Sequence, residues 1–384
     1  MDHVANFSGY EISIPDAVRA QGIYVFDKAG KRYMDLESGE WCMALGHNNR
    51  RVNKAASGQM EAIVHTGFCY GSRVTEEAAR AVLEIADFKD GQCVFLCSGS
   101  EAVEICRQIS RHLTGKNRSM TLHDSYLGAY TSTKDRSRGW YTFDWTACRA
   151  CGKPECDKAC RRLKSIPEDI SDFTLEPGSA SGFVRFPPEG LVRTISGIVR
   201  KNGGKIIANE VTTGMGRTGK WFAWQHYGLS PDMVAIGKGI GNGYPVSAAA
   251  LSARTARELS RHPFKYGQSH QNDPLGAAVA REVIRAMKDE DLVVEAARKG
   301  KIFMNRLEAL VDGKRLTEVR GRGLMIAVDV AGKKGADRLC GALLERGFIV
   351  GNRKTAFRID PPLIIREGEF DQFMEALKES VAEM

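Results

Sequence analysis

Two short polar sites, each directly behind an apolar run, carry the chemistry legible in this chain. Asn209-Glu210-Val211 follows Ile206-Ile207-Ala208, and Gly237-Lys238-Gly239 follows Met233-Val234-Ala235-Ile236. Runs of this kind read as buried strands. Each therefore delivers a polar side chain to the carboxyl end of a strand, where the ligand crevices of open α/β sheets lie. Lys238 stands among Gly237, Gly239, Gly241 and Gly243, small residues that let the backbone and a bulky aromatic group approach closely. A lysine so confined can lose its proton and form a Schiff base with an aldehyde.

A third site precedes these two. The apolar run Cys93-Val94-Phe95-Leu96-Cys97 turns at Ser98-Gly99-Ser100 and enters a helix with Ala102, Cys106, Ile109 and Leu113 at helical spacing. Ser100 is the expected N-cap and Gly115 the expected stop. Backbone N–H groups at a helix start suit a dianionic phosphate, and hydroxyls of Ser98 or Ser100 add donors. Capping alone would also explain this turn. Its position ahead of the Asn209 and Lys238 sites favours the phosphate, and the three together read as a pyridoxal phosphate pocket with Lys238 as anchor.

The elements that must position these residues alternate between strand and helix through the middle of the chain, which predicts an α/β fold with a mostly parallel, helix-covered sheet. One helix carries Leu191, Ile195, Ile198 and Val199 on a single face and stops at Gly203-Gly204, just before the Asn209 strand. From about Gly300 the pattern becomes a helix, the segment Leu324 to Val330, a helix near Ala336 to Gly347 and a terminal helix from Glu367. This reads as a smaller α+β unit. The expected organisation is an N-terminal segment (1–50) packed with the small domain, a large cofactor-binding domain (51–265) with an excursion at 145–165, and a linker with the small C-terminal domain (266–384).

With 384 residues, 43% of them apolar, the chain can bury a large core. It has no uninterrupted apolar stretch of about 18 residues, and its N-terminus has no positive segment followed by an apolar one, so a membrane span and a secretory signal are not indicated. A cytoplasmic enzyme is the expectation. The net charge of +8 comes from residues spread along the chain, without a long run outside Arg149 to Lys164, and does not point to nucleic acid.

Ordered matches from Val25 to Leu363 resemble the class III pyridoxal-phosphate-dependent aminotransferases, of fold type I. They include Asp27, Gly30-Lys31-Arg32-Tyr33, Asp35, Ser38-Gly39 and Gly46-His47 near the start, then Ser98-Gly99-Ser100-Glu101-Ala102, and Tyr126 with Gly128. Gly214-Met215-Gly216-Arg217-Thr218-Gly219-Lys220, Pro231-Asp232 with Lys238, and Arg358-Ile359-Asp360-Pro361-Pro362-Leu363 complete the series. The resemblance implies amino-group transfer from an amine donor to a 2-oxo acid. Lys238 would hold the cofactor and shuttle a proton, and Tyr126 and Val211 would flank its ring above Asn209. Glu176 falls in the cofactor set. Ser269 would reach the phosphate of a neighbouring subunit, which implies a homodimer with shared active sites. Epimerisation, decarboxylation or amino-group migration would use the same residues, and a non-catalytic binding protein is a further alternative.

For the substrate, the resemblance makes Arg358 the bidentate partner of a carboxylate. Some relatives mask this arginine with a glutamate shortly after a Glu-Pro pair. Here Ser181 takes that place after Glu176-Pro177, so Arg358 is expected to stay unmasked. Trp41 resembles a pocket tryptophan of ω-transaminases, with Glu40 beside it for a basic substrate, and a plain packing role for both stays open.

Two departures stand out. Asn209 replaces the aspartate that keeps the pyridine nitrogen protonated in the family. At about 4 Å and an effective dielectric near 20, that ion pair amounts to roughly 4 kcal/mol, so the electron sink is expected to be weaker. Leu127 and Thr212 also replace a usual histidine and glutamine. The second departure is Cys148-x2-Cys151-x4-Cys156-x3-Cys160, four of the ten cysteines within one polar, basic segment. Four sulfurs at this spacing can close a tetrahedral zinc site or hold an iron–sulfur cluster, with reduced or disulfide-forming cysteines as the alternative.

Overall fold

A computed structural model describes residues 3–5, 7, 12–67, 69–151, 156, 160–179 and 183–384. Its central sheet consists of β1 (Gln92–Leu96), β2 (Arg118–Leu122), β3 (Trp140–Phe143), β4 (Ile170–Leu175), β5 (Lys205–Asn209), β6 (Met233–Ile236) and β7 (Ser247–Leu251), in the spatial order β1-β7-β6-β5-β4-β2-β3. From β6 across to β3 every pair is parallel, and β7 alone runs antiparallel to both of its neighbours. Strands β4 to β7 are buried at every position. Both of their faces are covered, which explains why these segments read as unbroken rather than alternating runs.

Three helices matter for the site: α1 (Gly99–Thr114), α2 (Glu189–Lys201) and α3 (Pro274–Asp289). Ser98, not Ser100, caps α1. The Ser98 Oγ accepts the Glu101 N–H at 3.3 Å while the Glu101 carboxylate accepts the Ser98 N–H at 2.7 Å. This reciprocal box needs an acid three residues after the cap, and only Ser98 has one in register. Gly115 ends α1 in the left-handed region (φ 68°) as expected. Helix α2 buries Leu191, Ile195 and Val199, with Ile198 at the margin of that face. Helix α3 begins with a proline in its first turn and packs on the helices Arg50–Ala62 and Arg73–Ile85.

The ends of the chain come together. Ala17–Gln21, Tyr24–Asp27 and Arg32–Asp35 form an antiparallel ladder, and Phe348–Ile349 joins it in parallel against Met34 and Asp35. A second small sheet orders Leu316–Arg322, Met325–Val330, Ala356–Ile359 and Gly351–Arg353, backed by the helices Leu292–Glu308, Lys333–Glu345 and Glu367–Ala382. The helix expected from about Gly300 thus starts earlier, and Gly300 lies inside it. A Cβ there would meet the Gly323 backbone at 2.2 Å, so this glycine marks a close approach and not a helix boundary. No described helix is long and apolar enough to cross a membrane.

Candidate active site

At the carboxyl ends of β5 and β6, against the start of α1, lies a cavity of about 160 Å³ whose lining includes Gly99, Ser100, Tyr126, Asn209, Val211 and Lys238. A larger cleft of about 670 Å³, between Gln21, Leu45, Lys299 and Arg366, contains none of these groups. Lys238 follows β6 in a left-handed backbone conformation (φ 47°), an arrangement that costs a non-glycine residue energy and recurs at functional sites. Its Nζ donates to Thr212 Oγ1 at 2.9 Å and stands 4.5 Å from the centre of the Trp41 ring. Burial depresses this ammonium group below the ordinary lysine range, opposed by the nearby Cys42, Glu176 and Glu40. More of the amine is then neutral, as a nucleophile toward an aldehyde requires.

Asn209 ties the two walls of the cavity together. Its Nδ2 donates to the Tyr126 carbonyl at 2.9 Å, and its Oδ1 accepts the Val211 N–H at 3.3 Å. The Glu176 carboxylate accepts the Tyr126 N–H at 2.7 Å, so Glu176 sets the wall from behind and does not line the cavity itself. Tyr126 is 44% exposed and lines the cavity, an aromatic side chain against which a flat ring could lie. The floor is a glycine cradle. A Cβ on Gly99 would meet Val211 Cγ1 at 2.5 Å, and one on Gly237 would meet the Gly99 Cα at 3.1 Å.

These residues fit pyridoxal phosphate. The first N–H groups of α1 could hold a phosphate, Lys238 could supply the amine, and Asn209 could offer an amide hydrogen to a ring nitrogen. Ser100 Oγ accepts the Ala129 N–H at 3.0 Å and lines the cavity. Ser98 does not line it, and its hydroxyl donates to Glu101 Oε2 at 2.9 Å as part of the cap. Ser269 is exposed and outside the cavity of its own chain, and Ser181 lies outside the described residues.

Beyond Trp41 lies the expected substrate arginine. Arg358, on an inner strand of the C-terminal sheet between Ala327 and Gly351, is 1% exposed, and its guanidinium carbon is 4.0 Å from the Trp41 ring centre. The expectation that it stays unmasked does not hold. Glu37 Oε1 accepts from its Nη2 at 2.5 Å, with Glu40 and Asp360 each 3.8 Å away. The acid arrives from a different segment than the one containing Ser181, brought in by the pairing of the N-terminal ladder with the C-terminal unit. Nη1 of Arg358 is buried without a hydrogen-bond partner among the described residues. Burial, then Glu40, pushes the Glu37 carboxyl up to about 7, while Arg358 pulls it down.

The turn that carries these groups is strained. Ser38, Gly39, Glu40 and Trp41 all have positive φ, between 46° and 66°. Three of them carry a Cβ, at a cost of roughly 1–2 kcal/mol each. Arg217 clamps this turn from below, donating to Ser38 Oγ at 3.1 Å, the Leu324 carbonyl at 3.1 Å and the Pro361 carbonyl. Reading by sequence missed Glu37, whose partner is more than 300 positions away, and the clamping role of Arg217. It also left Glu210 without a role. That buried carboxyl accepts the N–H groups of Ala223 and Trp224, and burial raises it to about 7.

Residues 9–136 and 144–381 match the family model of the class III aminotransferases. The chain is 30% identical to the LysW-aminoadipate semialdehyde/glutamate semialdehyde transaminase of Sulfurisphaera tokodaii, over 95% of this chain and 94% of that one. It is 30% identical to the acetylornithine aminotransferase of Methanopyrus kandleri, over 99% and 96% of the two chains. Among solved structures, an aminotransferase of Bacillus anthracis superposes with a TM-score of 0.91 at 22% identity, covering 98% of this chain and 96% of that one, a likeness of fold. The omega transaminase of Pseudomonas jessenii in complex with PMP superposes with a TM-score of 0.86 at 25% identity, covering 96% and 92%.

Proposed function

The chain belongs to the class III aminotransferase family, and within its activity as a pyridoxal-phosphate-dependent aminotransferase of fold type I we propose that it takes its amino group from a carboxylate-bearing amine and passes it to a 2-oxo acid. The observation that carries the substrate class is the buried Arg358, with Nη1 unpartnered, on the same indole that Lys238 addresses. A guanidinium there orients a carboxylate while the amine-bearing carbon faces Nζ. ω-Amines that keep a distal carboxylate, such as the substrate named for the acetylornithine relative, fall within this class.

When bound, pyridoxal phosphate supplies an aldehyde that accepts the amino group and an aromatic ring that withdraws electrons from the substrate carbon. The chain does the rest. Lys238 Nζ would hold the cofactor aldehyde and, when free, would carry the proton taken from and returned to the substrate carbon. Thr212 Oγ1 is the resting partner that aims Nζ. Tyr126 and Val211 would flank the cofactor ring, and the N–H groups of Gly99 and Ser100 would hold its phosphate. Asn209 would offer an amide hydrogen to the ring nitrogen, which gives a weaker electron sink than an ionised aspartate would create.

The exposed Ser269, outside its own cavity, supports a homodimer in which this hydroxyl completes the partner's phosphate site. None of this chemistry draws on the four clustered thiols.

Steady-state assay of the holoenzyme with 2-oxoglutarate or pyruvate, comparing carboxylate-bearing amines with carboxylate-free ones of equal length, tests the proposal. We expect kcat/KM at least about 100-fold higher for the carboxylate-bearing set, as expected when a buried charged group is otherwise left unpaired. Equal values for both sets would remove Arg358 from substrate recognition.

A further inference from the structure

We propose that His65, His270 and Asp273 bind a divalent transition-metal ion of the zinc class, which clasps the segment behind the helix Arg50–Ala62 to the start of α3. One ligand atom from each residue lies within 4.8 Å of the other two. The Asp273 carboxylate stands between the rings, with Oδ1 2.6 Å from His65 Nδ1 and Oδ2 2.6 Å from His270 Nδ1. The two imidazole centres are 5.0 Å apart. Two imidazoles and a carboxylate suit zinc and its neighbours in the first transition row, and three protein ligands leave a coordination position for water. Among the described residues, no three sulfurs of Cys148, Cys151, Cys156 and Cys160 gather this closely, so the convergence expected of the clustered thiols is found at the histidines instead.

Asp273 occupies the N-cap position of α3, where an aspartate ordinarily accepts an N–H of the first turn, yet its side chain caps none. The carboxylate is turned to the histidines instead. The backbone that presents the three side chains is held by other groups. Asn272, in the left-handed region (φ 62°), donates its N–H to the Phe95 carbonyl at 3.0 Å and accepts the Phe95 N–H on Oδ1 at 2.9 Å, which pins the loop to β1. Thr75 Oγ1 donates to the Asn272 carbonyl at 3.3 Å. On the other side, the Ile63 N–H donates to the Gln59 carbonyl at 2.9 Å, and Gln59 Nε2 donates to the Ile63 carbonyl at 2.8 Å. Both anchors leave the imidazoles free to take a ligand role.

Tetrahedral zinc with bonds of about 2.1 Å sets neighbouring ligand atoms about 3.4 Å apart, so each nitrogen–oxygen pair must open by about 0.8 Å. Side-chain rotation supplies that much, since both histidines are exposed. The ion takes the place of the two Nδ1 protons, which pass to solvent or to the Nε2 atoms. A cavity of about 210 Å³, lined also by Cys97, Tyr244 and Gly276, borders His270 and Asp273 and has room for the remaining water ligand. His270 follows Ser269 directly, so an ion here also fixes the loop whose hydroxyl, on the homodimer reading above, completes the partner's phosphate site. Only that last consequence rests on the homodimer.

The test is calorimetric titration of the untagged, chelator-treated and dialysed holoenzyme with zinc chloride, beside His65→Gln and Asp273→Asn, with the exposed His262→Gln as control. We expect about one zinc per chain that binds wild type and control at least about 100-fold more tightly than either variant, because each variant removes one of only three protein ligands. Saturating zinc should raise the unfolding temperature of wild type and control and leave that of the variants in place. Cobalt in place of zinc should give visible bands that the variants lose, without sulfur-to-cobalt charge transfer. Zinc affinity unaltered in both variants, or lost bands that carry sulfur charge transfer, would put the ion elsewhere and overturn the site. So would the absence of saturable binding at millimolar zinc, which would leave the carboxylate serving the imidazoles by hydrogen bonds alone. Zinc that binds without raising the unfolding temperature would overturn the clasp. None of these readouts involves turnover, so they stand apart from the aminotransferase reading. His65→Gln replaces an exposed side chain outside any helix and keeps the test informative if Asp273→Asn fails to fold.

Discussion

Glu37 and Arg358, 321 positions apart, meet as a part-buried pair with 2.5 Å between Oε1 and Nη2, and Gly351 is the residue that lets them do so. A Cβ on Gly351 would lie 2.5 Å from Glu37 Oε1 and 2.5 Å from both Nε and Nη2 of Arg358. The arginine that is to receive a substrate carboxylate thus already holds a carboxylate of its own chain. Substrate recognition becomes an exchange of one anion for another on a single guanidinium.

Glu37→Gln should lower KM for carboxylate-bearing donors by about tenfold, equivalent to ~1.4 kcal/mol, with little change in kcat. The pH dependence fixes the sign. Burial raises Glu37 to about 7, so below that pH the carboxyl is neutral and releases Arg358 more easily, and above it the anion competes with substrate. Wild-type KM should therefore rise as pH increases through about 7, and the Gln variant should lose that part of the profile. Parallel pH–KM curves for the two proteins would refute the exchange.

Lys238→Ala should lower turnover by at least about 10³-fold, since both the anchor and the proton carrier are removed. Borohydride reduction of wild-type holoprotein followed by peptide mass analysis should place the cofactor adduct on Lys238, with none in the variant. An adduct on another lysine would move the site.

Restoring the family's acid by Asn209→Asp should not simply strengthen the enzyme. Asn209 Nδ2 donates to the Tyr126 carbonyl, and a carboxylate would face that oxygen with no hydrogen to offer. Denaturant unfolding of the apoprotein should show a loss of ~1–3 kcal/mol, the cost of a buried acceptor left unpaired. A variant as stable as wild type would mean that the amide does not hold the wall.

Gly99→Ala introduces a methyl group 2.5 Å from Val211 Cγ1, inside the cradle below the ring. Overpacking of about 1–3 kcal/mol should appear chiefly as weaker cofactor binding, read by titrating apoenzyme with pyridoxal phosphate and following absorbance. Unchanged affinity would show that the cradle has room to spare.

Local sequence determined much of this protein. Apolar runs that end in Asn209 and Lys238 had to be buried strands, the glycines around Lys238 announced close approach, and Gly115 stopped its helix, because these features depend on backbone geometry over a few residues. The capping of α1 was misread by two positions, although the acid at Glu101 already pointed to Ser98. What tertiary structure alone decided is the company each charge keeps. Neither Glu37 nor Arg358 signals the other, since their meeting depends on Phe348–Ile349 joining the N-terminal ladder, and on Arg217 clamping a left-handed turn. An ion pair depends on positions a few ångströms apart in space, and short-range sequence patterns do not encode which distant segments the folding of sheets will bring within that reach.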